Sequence, residues 1–213
     1  MSSDEENEET QDLEKISEQM MRMPISERMA VSAWDDDNEG IDTHRNPKDI
    51  DANSILLAAE DGDKEKIISL LNKNPGLINV TDEDGYTPLH RACYGNHNDI
   101  IEHLLEKGAN LEAKTIDGWE PLHSACCWNN ANCISMLISN GANVNAKSNG
   151  DQTPLHLACA SSHNSPSLQL LLLHPDTIKT VKNTAGDTPQ MIATRSGKYY
   201  PLFEMTELCL NEI

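Results

Sequence analysis

Large rings are scarce in this sequence: its 213 positions hold one Phe, three Trp and four Tyr. With so few, any aromatic placed on a solvated surface becomes informative. Positive charge is also short, with 16 Lys and Arg against 35 Asp and Glu and a net charge of −19. Nucleic-acid binding leaves an electrostatic footprint, a basic patch or stripe. None is present, so direct contact with DNA or RNA is not expected. No apolar run approaches the roughly 18 to 20 residues of a spanning helix, and the acidic N-terminus does not fit a signal or transit peptide. A soluble intracellular chain without membrane contact is expected. The six cysteines, read as unpaired thiols, fit a reducing compartment.

Repetition takes the place of what is missing. "DGYTPLHRAC" at Asp84 is followed by "DGWEPLHSAC" at Asp117, and Pro88, Pro121 and Pro154 stand 33 residues apart, as do His90, His123 and His156. A fixed period of this size signals stacked supersecondary units. Stepping back from Thr87 reaches Ser54, where "NSILLAAEDGD" keeps the small and apolar positions without Pro or His. Stepping forward from Thr153 reaches Thr188 after 35 residues, so two have been inserted. Five units result, at about 51–83, 84–116, 117–149, 150–184 and 185–213, in a repeat domain over 47–213.

Each unit can be built from its chemistry. Thr87 suits an N-cap and Pro88 the first helical position, where its missing N–H costs nothing. His90 is placed to bond back to the capping hydroxyl or the loop. After a break at "GNHND", Ile100, Ile101, Leu104 and Leu105 recur at helical spacing and describe a second amphipathic helix. Gly108 and Gly141 follow that helix where a left-handed residue is wanted, and Asp84-Gly85 or Asp117-Gly118 makes a tight turn. The fold class is therefore all-α. "SSHNSPSL" lengthens the break in the fourth unit and predicts a loop over 161–167.

The run "DGYTPLHRACYGNHNDIIEHLLEKGANLEA" resembles the ankyrin repeat over its whole length, and the resemblance covers about three quarters of the chain. It implies an ankyrin-repeat solenoid of about five helix-loop-helix units. The function it implies is protein binding without catalysis or cofactor. A narrower resemblance within the family rests on the order of an acidic tail with a Trp, "LLAAE", "DEDGYTPLHRACYGNH", "DGWEPLHSACCWNN" and a degenerate last unit. That order implies a nuclear regulator acting positively on transcription, with the cytoplasm as a second location. An assembly or stability chaperone shielding a basic client is the alternative.

His-x-x-Cys recurs at His90 and Cys93, His123 and Cys126, and His156 and Cys159. Zinc needs about four ligands at 2.0 to 2.3 Å. Neighbouring helices pack about 8 to 10 Å apart, leaving at most two ligands per unit within reach. These residues are therefore expected to be core thiols under capping histidines, with no metal site. No pair of polar residues converges outside the repeated positions, so no catalytic residue is expected.

Residues 1–46 carry most of the remaining signal. Fifteen of the acids fall in the first 50 residues against five basic ones, too polar a segment to order itself. It is expected to be a disordered acidic tail, with Trp34 before "DDDNEG" as a candidate docking or activation motif.

In an ankyrin stack the turn tips and the inner face of each first helix form a concave surface that stacking does not use. Here those places are Asp84, Tyr86, Tyr94 and Gly95, then Asp117, Trp119, Cys127 and Trp128, then Asn149, Gln152 and Ala160. Four of the eight aromatics fall among them, and Trp and Tyr are the residues most enriched at binding hot spots. Glu83, Asp84 and Asp117 on the rim favour a basic partner surface on a monomeric chain. Glu120 replaces the Thr of the other units, a poor cap beside Trp119, and joins the candidate site.

Overall fold

The computed structural model describes residues 50–160, 166–196 and 202–203. The chain divides into two units, Met1–Thr43 and His44–Ile213; the described residues all belong to the second, and the predicted tail with Trp34 lies outside them.

Nine helices are described. They are α1 (Ile50–Asp61), α2 (Lys64–Lys73), α3 (Pro88–Gly95), α4 (Asn98–Glu106), α5 (Pro121–Cys127), α6 (Ala131–Ser139), α7 (Pro154–Ala160), α8 (Pro166–Leu173) and α9 (Pro189–Ser196). No strand is present among the described residues. The first helices of the units, α1, α3, α5, α7 and α9, each touch the next in one row, and α4, α6 and α8 touch in a second row behind them. Between the rows lies one continuous core. Ile100, Ile101 and Leu104 of α4 and Ile134 and Leu137 of α6 are fully buried in it. Each such side chain contributes about 1.5 to 3 kcal/mol through burial.

Helix starts follow the cap chemistry. Thr87 and Pro88 open α3, and the Thr87 and His90 side chains form a reciprocal capping box. Gly108 and Gly141 have φ of 85° and 93°, the left-handed geometry that ends a helix without a Cβ clash. The first unit has no Thr-Pro pair, and α1 includes Ile50, which is 79% exposed. In place of a glycine after its second helix this unit has Pro75, and the chain makes a 3-10 turn over Pro75–Asn79.

Of the residues expected to form a loop over 161–167, the last two do not. Pro166 and Ser167 already belong to α8, because proline is favoured in a first helical turn. Residues 161–165 lie outside the described residues.

Candidate partner-binding face

The turns between units share a construction that no single residue type reveals. Asp82, Thr115, Ser148 and Asn183 begin them, and each offers a side-chain oxygen to the amide four residues on, at 2.8, 3.1, 3.2 and 2.9 Å. The same four residues donate their own N–H to the carbonyls of Tyr86, Trp119, Gln152 and Asp187. Each turn thus closes as a small hairpin. Gly85, Gly118 and Gly186 take positive φ at its bend, and Asp151 does so in the fourth unit.

Successive hairpins are then bonded to one another. Ile116 N–H donates to Asp84 C=O at 2.8 Å, Asn149 N–H to Asp117 C=O at 2.9 Å, and Thr184 N–H to Gly150 C=O at 3.0 Å. The Asn149 side chain adds a 2.6 Å bond to Ile116 C=O. A β-carbon on Gly118 would stand 2.8 Å from the Asn149 nitrogen, so this approach requires glycine. The turn tips form one ledge with its backbone already fixed, which lowers the ordering cost of binding.

The repeated histidines tie that ledge to the helices. His90 Nδ1 accepts from Thr87 N–H at 3.2 Å, which leaves the proton on Nε2, donated to Trp119 C=O at 3.0 Å. His123 does the same between Glu120 N–H and Gln152 C=O, and His156 between Thr153 N–H and Asp187 C=O. Burial holds His90 and His123 down at about 4, against the backbone bonds that pull upward. With both ring nitrogens engaged, none of the three has a lone pair for a metal. Burial pushes the thiols of Cys93 and Cys126 well up and those of Cys133 and Cys159 to about 12, so at neutral pH they are protonated core residues.

Of the expected site residues, the four aromatics fall into two groups. Tyr86 and Trp119 precede their helices and lean on the capping histidines. Tyr86 meets His90 edge-on at 5.7 Å with the Arg91 guanidinium 5.0 Å over its ring, and Trp119 stacks on His123 at 6.4 Å. Both are half-buried, and Trp119 packs against the core. Tyr94 and Trp128 lie at the far ends of α3 and α5 and meet edge-on at 4.8 Å, a favourable ring geometry. Trp128 is 47% exposed. An eight-residue helix such as α3 separates the groups by about 12 Å.

Asp84 and Asp117 are exposed at the tips, while Cys127 and Gln152 are half-buried. Burial raises the Tyr86 phenol above its ordinary range; Arg91 opposes this, and Asp117, Asp84 and Asp82 add to it. The turns therefore carry local negative potential. Glu120 does not sit on the open rim as expected: it is 6% exposed. Standing in the threonine position of the cap draws it inward. Its main-chain N–H bonds His123 Nδ1 at 3.1 Å within the capping box, and its carboxylate reaches Lys114 at 3.8 Å. Burial raises its affinity for a proton, with Lys114 opposing.

Two features escaped sequence reasoning. Ile116 projects from the ledge beside Asp117 with 67% exposure; its signal was an Ile where neighbouring units have Glu83 and Asn149. Arg91 bridges the first two units, bonding Asp82 at 2.6 Å and Glu60 at 3.1 Å with all three side chains largely buried. Only the second unit has a cation there, against Ser124 and Leu157 in the next two.

Among the described residues no helix is long and apolar enough to cross a membrane, and no group of His, Cys, Asp and Glu is arranged to hold a metal ion. A family model of ankyrin repeats in three copies matches residues 55–148 and 110–184. Ankyrin repeat domain-containing protein 49 of Bos taurus is 52% identical over 157 residues, 74% of this chain and 66% of that protein. The Homo sapiens protein of the same name gives the same identity and coverage. Its Drosophila melanogaster namesake is 38% identical over 94 residues, 44% of each chain. The chain thus spans 66% of the length of the two mammalian relatives.

Proposed function

This chain belongs to the ankyrin-repeat family, whose repeats mediate protein–protein interaction, and we propose that it binds a basic partner protein across the turn ledge and the inner face of α3 and α5. The observation that carries this reading is Trp128, exposed and held edge-on by Tyr94. An ordered aromatic on a solvated face loses little entropy when a partner covers it. Asp84 and Asp117 on the ledge supply the charge that steers a basic surface toward it. In this reading the chain acts without catalysis. It works in the nucleus, and the acidic segment 1–46 with Trp34 is presented to the transcription machinery while the repeats hold a regulator.

The test compares proteins retained from nuclear extract by the full chain and by its Trp128→Ala and Trp119→Ala variants, each shown by circular dichroism to be folded. The expected result is a set of basic proteins lost from the Trp128→Ala sample and released by salt. An identical set on all three would contradict the assignment of the face. For the nuclear role, segment 1–46 tethered to DNA is expected to activate a reporter and to lose that activity on Trp34→Ala; silence of the tethered segment would contradict it.

A further inference from the structure

On the outer side of the second-helix row, α4 and α6 line an open groove of about 430 Å³. Leu105 and Met136, both half-buried, lie among its lining; Glu102 and Glu106 line it from α4, and Ser135 and Ser139 from α6, all four exposed. The two glutamates stand one helical turn apart on the same face, where like charges destabilise a helix. Glu106 is also the last residue of α4, with Lys107 as its cap, and so stands at the negative end of the helix dipole. Neither makes an ion pair among the described residues. Two local rules of charge placement are thus broken, beside an open groove floored by Leu105 and Met136.

We propose that this groove is a second docking surface, separate from the ledge, and that its occupant is a lysine or arginine side chain of a basic protein segment. The aliphatic stem of such a residue suits Leu105 and the polarisable Met136, while its head reaches the carboxylates. Ser135 and Ser139 occupy the positions of Glu102 and Glu106 one unit later, so the facing wall brings no positive charge to compete. Lys107 is the nearest cation in sequence and lines a different cavity, with Leu71, Pro75 and Ile78. A second copy of this chain, or its own acidic segment 1–46, would bring further negative charge into the groove and is disfavoured.

The experiment titrates the full ¹⁵N-labelled chain with acetylated, amidated tetra-arginine at near-physiological salt. Saturable shifts are expected at residues 102–106 and 135–140. They should persist in Trp128→Ala and weaken about tenfold in the Glu102→Gln/Glu106→Gln double variant, the scale of losing two charged pairs. The double variant should also melt higher than the parent, since it removes the repulsion and the dipole conflict. Shifts spread in proportion over every acidic turn, or unchanged in the double variant, would overturn the proposal. So would a lower melting temperature in the double variant. Concentration-dependent shifts at the same amides without peptide would assign the groove to a second copy and overturn the occupant. Because Trp128→Ala leaves this surface intact, failure here is distinguishable from failure of the concave-face reading.

Discussion

The Nε2 of His90 lies 3.0 Å from the main-chain carbonyl of Trp119, so the residue that closes the cap of one helix also fixes the aromatic turn of the next unit. One neutral tautomer serves both bonds: Nδ1 must accept from Thr87 N–H, and Nε2 must carry the proton. Protonation would set an N–H against an N–H. The same conflict awaits His123, and its consequence can be measured.

For both imidazoles the folded-state value is about 4, below the ordinary 6.5. The unfolded chain therefore takes up protons first as pH falls. Stability from these residues is complete above about pH 6.5 and is lost between there and about pH 4, at about 1.4 kcal/mol for each unit of separation. Histidine ring resonances followed by NMR should leave His90 and His123 neutral at pH 5. Rings that titrate near 6.5 would contradict the burial and the two-bond arrangement.

Gly118 and Gly108 separate two costs. Both have positive φ, 75° and 85°, but only at Gly118 would a β-carbon meet backbone, and at Gly108 it meets nothing within 4 Å. Gly108→Ala should cost about 1 kcal/mol from left-handed backbone alone. Gly118→Ala should cost about 2 kcal/mol or more in urea unfolding and weaken partner binding as the ledge opens. Equal costs at the two sites would show that the hairpins are not held in contact.

Glu120→Thr should stabilise the chain. It restores a hydroxyl cap, valued at about 0.5 to 2 kcal/mol, and removes a buried carboxylate. Because burial raises the proton affinity of Glu120, the charged form is the penalised one, so the gain should be larger at neutral pH than at acid pH. Partner affinity should change little, since the side chain is covered. A variant no more stable than the parent at pH 7 would show that the Lys114 pair fully compensates.

The repeat was legible because its rules are local. Period, Thr-Pro start, His at the third helical position and Gly after the second helix each follow from caps and φ, which neighbouring residues determine. What stayed hidden depends on contacts between units. Asp82, Thr115, Ser148 and Asn183 share a role but not a residue type, only an oxygen at the right reach. The Arg91 bridge joins partners 9 and 31 residues away, and nothing in "LLAAE" marks Glu60 as one of them. Glu120 read as a rim residue because it replaces the repeated threonine beside Trp119 and close to Asp117; the cap geometry that turns it inward is visible only in three dimensions. The four aromatics were read from the sequence as one group; their division between the two ends of the first helices required the fold.

The central claim is that the inner face carrying Trp119 and Trp128 is where a partner sits. The chain has three tryptophans, so its indole N–H region should hold three resonances, assignable by single Trp→Phe variants. On addition of a partner recovered with the intact chain, the account predicts that the Trp119 and Trp128 signals shift or broaden to saturation at one stoichiometry. Saturated binding that leaves both of them in place, with Trp34 alone moving or no indole moving at all, would contradict it.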